Sequence, residues 1–144
     1  MIDRARIIVG GVLEKDGKYL LVQEAKKECY GKWNLPAGHL DPNETIFEGA
    51  TREIFEESGF TTKLTGILGL FNRKIVDDTF IGIVFATEIL KGTISFDKKE
   101  ILDVKWFSYD EIINMKDELR SSEYIIDSIN AHKNNEIAPL ELIK

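Results

Sequence analysis

A single cysteine, Cys29, occurs in 144 residues. That scarcity excludes an internal disulfide and any zinc site built from several thiolates, and it makes a reducing cytoplasm the expected home. No apolar run approaches the roughly 18 residues that a membrane span requires. The opening MIDRARIIVGG carries charges early and too short an apolar stretch for a secretory leader, so none is expected. Positive charge is also in short supply: 19 Lys and Arg stand against 25 Asp and Glu, a net charge of −6. Such a surface is poorly suited to a nucleic-acid backbone, whose affinity comes largely from lysine and arginine. Were the ligand an anion, something other than protein charge would have to neutralise it. Internal repeats, low-complexity tracts and linkers rich in Pro, Gly or Ser are missing as well, which leaves one domain over residues 1–144, long enough to bury a core.

What is present reads as strands interrupted by a few helices. ARIIVGGVLEKDGKYLLVQEA predicts two strands joined at Asp16-Gly17, a strong hairpin signal. An irregular stretch follows, punctuated by Pro36, Gly38 and Pro42. KLTGILGLFNRKI, TFIGIVFATEIL, TISF and DVKWF predict further strands. Thr45 with Glu48 fits a helix capping box and Gly59 fits its stop. Ser108 with Glu111 opens a short helix, and SSEYIIDSINAHK predicts a last one with Ile125, Ile126 and Ile129 on one face. This alternation suggests a mixed sheet with helices packed on it.

The helix after Thr45 is unusual. Glu44, Glu48, Glu53, Glu56 and Glu57 crowd there against a single Arg52, although like charges three and four residues apart destabilise a helix. With Glu53 at zero on a wheel of about 100° per residue, Glu56 falls near about 300° and Glu57 near about 40°. The three carboxylates therefore share a stripe. Gly49 lies inside it, leaving room for a close neighbour, and Ile46, Phe47, Ala50 and Ile54 form an apolar flank beside it. Arg52 borders the stripe, placed to orient a glutamate through a bidentate pair. Hard carboxylate oxygens favour Mg²⁺ or Mn²⁺, and magnesium commonly binds a few carboxylates together with substrate phosphates. Bridging ions would also let an acidic protein hold a polyphosphate. A solvated acidic face has the same spacing, so the wheel leaves both readings open. An EF-hand is disfavoured, since no D-x-[DN]-x-[DN]-G loop occurs.

The residues around the helix go further. Gly38, Glu44, Arg52-Glu53-Ile54, Glu56-Glu57 and Gly59-Phe60 fill every fixed place of the pattern G-x5-E-x7-R-E-U-x-E-E-x-G-U, with U aliphatic or bulky apolar. The chain thus resembles the Nudix hydrolases. GKYLLVQEAKKECYGKWNLPAGHLDPNET, and more weakly VKWFSYDEI and APLELI, resemble the NudJ-type subgroup. The resemblance implies an α/β/α sandwich with a mixed sheet between helices. It also implies hydrolysis of a phosphoanhydride in a nucleoside di- or triphosphate or a thiamine-type diphosphate, as monomer or homodimer, with no nucleic-acid or membrane partner.

By the same resemblance Glu53, Glu56 and Glu57 hold Mg²⁺, or Mn²⁺ in its place, with the Gly38 carbonyl as a further ligand. Arg52 locks a glutamate in position, and Glu44 serves the helix start. The general base varies within the family; here it is Glu53 or Glu100, with Asp103 behind them. Substrate contacts are expected from Trp33 by stacking, Glu24 and Asn34 on polar ring atoms, Arg6 and Arg73 on phosphate, and His39 lining the pocket. Each has an ordinary alternative as a core aromatic, a loop hydrogen bond or an exposed arginine, and Glu100 as a charged turn. His132 receives no role. A housecleaning or dinucleoside-polyphosphate enzyme, a non-catalytic binding module and a diphosphate isomerase remain alternatives. The last of these needs a reactive cysteine, and Cys29 sits in an irregular segment without evident support.

Overall fold

A computed structural model describes residues 4–75 and 77–144. Strand β1 (Arg6–Val12), the two-residue β2 (Glu14–Lys15) and β3 (Lys18–Glu24) make the expected hairpin. Asp16 and Gly17 turn it with φ of 53° and 80°, the left-handed pair that a type I′ turn demands. The stretch expected to be irregular contains two short strands, β4 (Trp33–Asn34) and β5 (Ala37–His39). Helix α1 (Ile46–Ser58) begins at Thr45 with the full capping box and ends at Gly59. The long β6 (Phe60–Ile75) and β7 (Asp78–Gly92), then β8 (Ile101–Ser108), follow. Helix α2 (Tyr109–Asn114) opens on the Ser108–Glu111 capping box, and α3 is Ser122–Lys133.

One expected strand is absent: residues 93–96, TISF, belong to no strand or helix. The pairing of β6 with β7 begins at Phe60 opposite Gly92, so the chain beyond Gly92 has run past its partner. Its tie is a single bond from the Ser95 N–H to the Ser58 carbonyl, 3.0 Å. Polar and apolar residues alternate there without a neighbouring edge to reward the alternation.

The strands form two four-stranded sheets. One has the order β5-β1-β7-β6, with β1 and β7 parallel and the remaining pairs antiparallel. In the other, β3 pairs β2, β4 and β8. Period-two alternation then sorts the side chains into two cores. Ile83 and Phe85 of β7 and Leu20 and Val22 of β3 join Ala50 and Ile54 of α1. Their sequence neighbours Val84, Ala86, Tyr19 and Leu21 face the other way and join Ile125 and Ile129 of α3. Both faces of the strands are thereby covered by helices, giving an α/β/α sandwich with a mixed sheet. Among the described residues no helix is long and apolar enough to cross a membrane.

Candidate active site

Helix α1 buries Ala50 and Ile54 completely, which fixes its rotation and turns the neighbouring stripe toward β5. There Gly38, paired with Val9 of β1, passes directly under Glu53. A Cβ on Gly38 would land 2.7 Å from Glu53 Oε1 and closer still to Oε2. The missing side chain is the space the carboxylate occupies. Gly49 has the same relation to Leu40 and Glu44, as the wheel anticipated.

Arg52 ties this corner together. Its Nε and Nη2 donate to the two oxygens of Glu44 at 2.9 and 2.6 Å, a bidentate pair. Nη1 donates to Glu53 at 2.9 Å and to Glu56 at 3.2 Å, and Nη2 also reaches the His39 carbonyl at 3.1 Å. The hydrogen bonds from Arg52, and then one from the Asp41 N–H, pull the Glu44 carboxyl down to about 2. Glu44 is therefore a tether between the loop and the helix as well as a charge near the helix start. Glu44 and Glu53 in turn hold Arg52 more firmly charged than an ordinary arginine.

Glu53 and Glu57 are in the opposite condition. Burial raises the Glu53 carboxyl, against the pull of Arg52. Glu57 is only 8% exposed and accepts one hydrogen bond, from the Ala37 N–H of β5 at 2.9 Å. Burial pushes it well above the usual carboxylate range; the charge of Glu24 adds to the rise and the Ala37 bond resists it. Glu56, at the outer edge, is open to solvent.

Among the described residues, no three acidic, histidine or cysteine side chains are closed around a point as a ready-made metal cage. The carboxylates are held by Arg52 and by the Ala37 N–H instead. The donors present are nonetheless hard oxygens, two of them raised by burial and short of positive charge, beside a backbone left bare by Gly38. That set suits Mg²⁺ or Mn²⁺ rather than a softer ion.

The structure distributes the remaining expected residues unevenly. Glu24 and Asn34 come together: the Asn34 amide donates to Glu24 Oε1 at 3.3 Å. Glu24 is 1% exposed and its Oε2 has no partner. Trp33 is buried edge-on against Phe107, ring centroids 4.9 Å apart, where it anchors β4 and offers no open face for stacking. His39 is exposed beside the cluster, its ring held below its ordinary value by desolvation and then by Lys26, Arg6 and Arg120. Arg6 pairs with Asp78 at 2.8 Å and Arg73 with Glu123 at 3.4 Å, so neither is a partner of the clustered carboxylates. Glu100 is exposed, and its carbonyl receives the Ala25 N–H at 3.1 Å, next to Glu24. Asp103 instead caps the Val104 N–H at 2.8 Å and faces Lys105 at 3.6 Å.

Two cations at this site escaped the sequence reading. Lys26 lies near enough to oppose the rise in both Glu53 and Glu57, and Arg120 stands 3.6 Å from Glu24. Lys26 sits in the basic run AKKECYGK, a signal available in the sequence; Arg120 had none. Cys29 is buried, and burial pushes its thiol up, the reverse of an activated nucleophile.

This geometry has counterparts. The sequence profile of the NUDIX domain matches residues 2–127. Phosphatase NudJ of Escherichia coli K12 is 31% identical over 97% of this chain and 91% of its own length. The human 8-oxo-dGDP phosphatase NUDT18 is 33% identical over 70% of the chain, which spans only 31% of that longer protein. "Putative nudix hydrolase 1" of Caenorhabditis elegans, 32% identical over 76% of the chain, is likewise spanned to 30% of its length. A solved NUDIX hydrolase from Nitrosomonas europaea superposes with a TM-score of 0.89 at 28% identity, covering 98% of this chain and 97% of that one. With Glu53 of α1 seated over Gly38, and a profile match across most of its length, the chain belongs to the Nudix hydrolase family.

Proposed function

We propose that this protein hydrolyses a phosphoanhydride bond in a nucleoside di- or triphosphate or a thiamine-type diphosphate, using Mg²⁺ with Mn²⁺ as a possible substitute, in the cytoplasm. The observation that carries the reading is Glu53 seated over the bare backbone of Gly38 beside the buried Glu57, with Glu56 held at the outer edge by Arg52. The likeness to NudJ along nearly the whole of both chains supports a phosphatase.

In this reading Glu53, Glu56, Glu57 and the Gly38 carbonyl hold the metal, which when bound neutralises phosphate charge and lowers the pKa of a water. The chain's own groups do the positioning. Arg52 keeps Glu53 turned toward Gly38 and fastens the helix to the preceding loop through Glu44. The Ala37 N–H fixes Glu57. Glu53 or Glu100 receives the proton from the attacking water; Glu100 has the freer carboxylate, while Glu53 is engaged with Arg52. Asn34, Glu24 and His39 meet the rest of the substrate. Most of the rate gain in such a reaction comes from alignment and charge stabilisation, without a covalent intermediate.

Measuring phosphate release with Mg²⁺ from a panel of nucleotides and thiamine diphosphate tests the assignment. Glu56→Gln and Glu57→Gln each reduce turnover by orders of magnitude with the fold intact by circular dichroism, and near-normal rates in both would end the proposal. Glu100→Gln in the same assay separates the two base candidates.

A further inference from the structure

Among the described residues, three side-chain polar atoms are buried without a hydrogen-bond partner, and one of them, Glu24 Oε2, belongs to the carboxylate that faces Arg120. Glu24 ends β3. Its Oε1 takes the Asn34 amide, while the Arg120 guanidinium stands off at 3.6 Å, beyond hydrogen-bonding distance. Buried polar groups are almost always paired, so an orphan beside an unbonded guanidinium calls for an explanation.

Arg120 supplies it. Its backbone is fixed, because its N–H donates to the Trp33 carbonyl at 2.9 Å. Its side chain is 38% exposed and makes no hydrogen bond among the described residues. The one half-open member of the group is thus also the one free to turn aside. The group adjoins the acidic face of α1, since Asn34, which bonds Glu24, stands three residues before Ala37, whose N–H holds Glu57.

Facing the Arg120 guanidinium at 3.6 Å, Glu24 as a carboxylate offers its unpaired oxygen only as an acceptor. A ring carbonyl placed against it would meet an anion; an exocyclic amino group would donate to it. We propose that Glu24, with Arg120 and Asn34 beside it, forms the ring-reading end of the site and selects substrates whose heterocycle carries an amino group over matched rings with a carbonyl in its place. This rests on the reading of the chain as a diphosphate hydrolase.

The test compares matched pairs that differ at one ring position: CDP with UDP, GDP with IDP, and thiamine diphosphate with oxythiamine diphosphate. In each pair that is cleaved, kcat/KM favours the amino-bearing member by at least about tenfold, because a site built around a hydrogen bond rejects the analogue lacking it. Glu24→Gln keeps the shape and exchanges one acceptor for a donor, so the ratio falls to one or below, chiefly through KM. Ratios near one in the unaltered protein overturn the proposal whether or not that variant folds. If none of the six compounds is cleaved, the reading as a diphosphate hydrolase fails. The ring preference is then read from equilibrium binding of CDP against UDP, where equal affinities overturn it too.

Discussion

Gly38→Ala is the sharpest probe of the site, because it adds one methyl group and removes no charge. The new Cβ would stand 2.7 Å from Glu53 Oε1, against an ordinary contact beginning near 3.4 Å, and nearer still to Oε2. The carboxylate must therefore move by at least about 0.7 Å, more than the roughly 0.5 Å within which a catalytic group has to be held. It cannot do so freely, since its Oε1 accepts a 2.9 Å hydrogen bond from Arg52. The clash meets the end of a side chain rather than backbone, so the folded state loses only about 1 kcal/mol, the low end for overpacking. The reacting geometry loses more: a displacement of about 1 Å costs about a hundredfold in rate, or ~2.7 kcal/mol of barrier. Thermal melts without metal, calorimetric titration with Mg²⁺ and steady-state turnover separate the two effects. A Gly38→Ala protein with unaltered turnover and metal affinity would refute the placement of Glu53 over this glycine as part of the site.

Arg52→Lys keeps the charge but cannot reproduce the fork on Glu44 or reach Glu53 and Glu56 together; turnover falls by at least about tenfold and melting drops by a few degrees. The Glu44 carboxyl is held down to about 2 in the folded protein against about 4.3 for a free glutamate. Its contribution to stability is thus full above the unfolded value and lost as pH falls toward the folded one. Glu44→Gln flattens that part of the melting-temperature profile, and an unchanged acid slope would show the tether to be unimportant. Glu53 and Glu57 are raised by burial, so Mg²⁺ binding displaces protons and tightens as pH rises; calorimetry in two buffers of different ionisation enthalpy reads the protons released.

The part of this site carried by one helix was legible in the sequence, because a capped helix converts spacing directly into direction. Glu53, Glu56, Glu57 and Gly49 needed only the wheel and the cap at Thr45. Arg52 was legible as a flank, but its strongest bond, the bidentate grip on Glu44, crosses from the loop to the helix and follows from no period. The group of Glu24, Asn34 and Arg120 was less accessible still. β3 pairs with β4 at Val22 and Asn34, and β4 bridges in parallel from Trp33 to Leu119, so residues nearly a hundred positions apart meet through two separate registers. Residues 93–96 failed for the complementary reason: alternation predicts a strand only where an unpaired edge awaits it. Trp33 reads equally well as anchor or platform until burial is known, and here its ring is spent on Phe107.

The crowding of acids on α1 now has a physical account. Arg52 compensates Glu44 directly and shares itself with Glu53 and Glu56, so the outer part of the cluster is a satisfied ion network. Glu57 lies beyond its reach, buried, with one N–H for company and Glu24 adding negative potential. An ionised carboxylate in that position is costly and is relieved in only two ways, by a proton or by a cation. A divalent ion held there, as the proposed function requires, would relieve that cost. The same ion would also offset the repulsion between a polyphosphate and a protein of net charge −6.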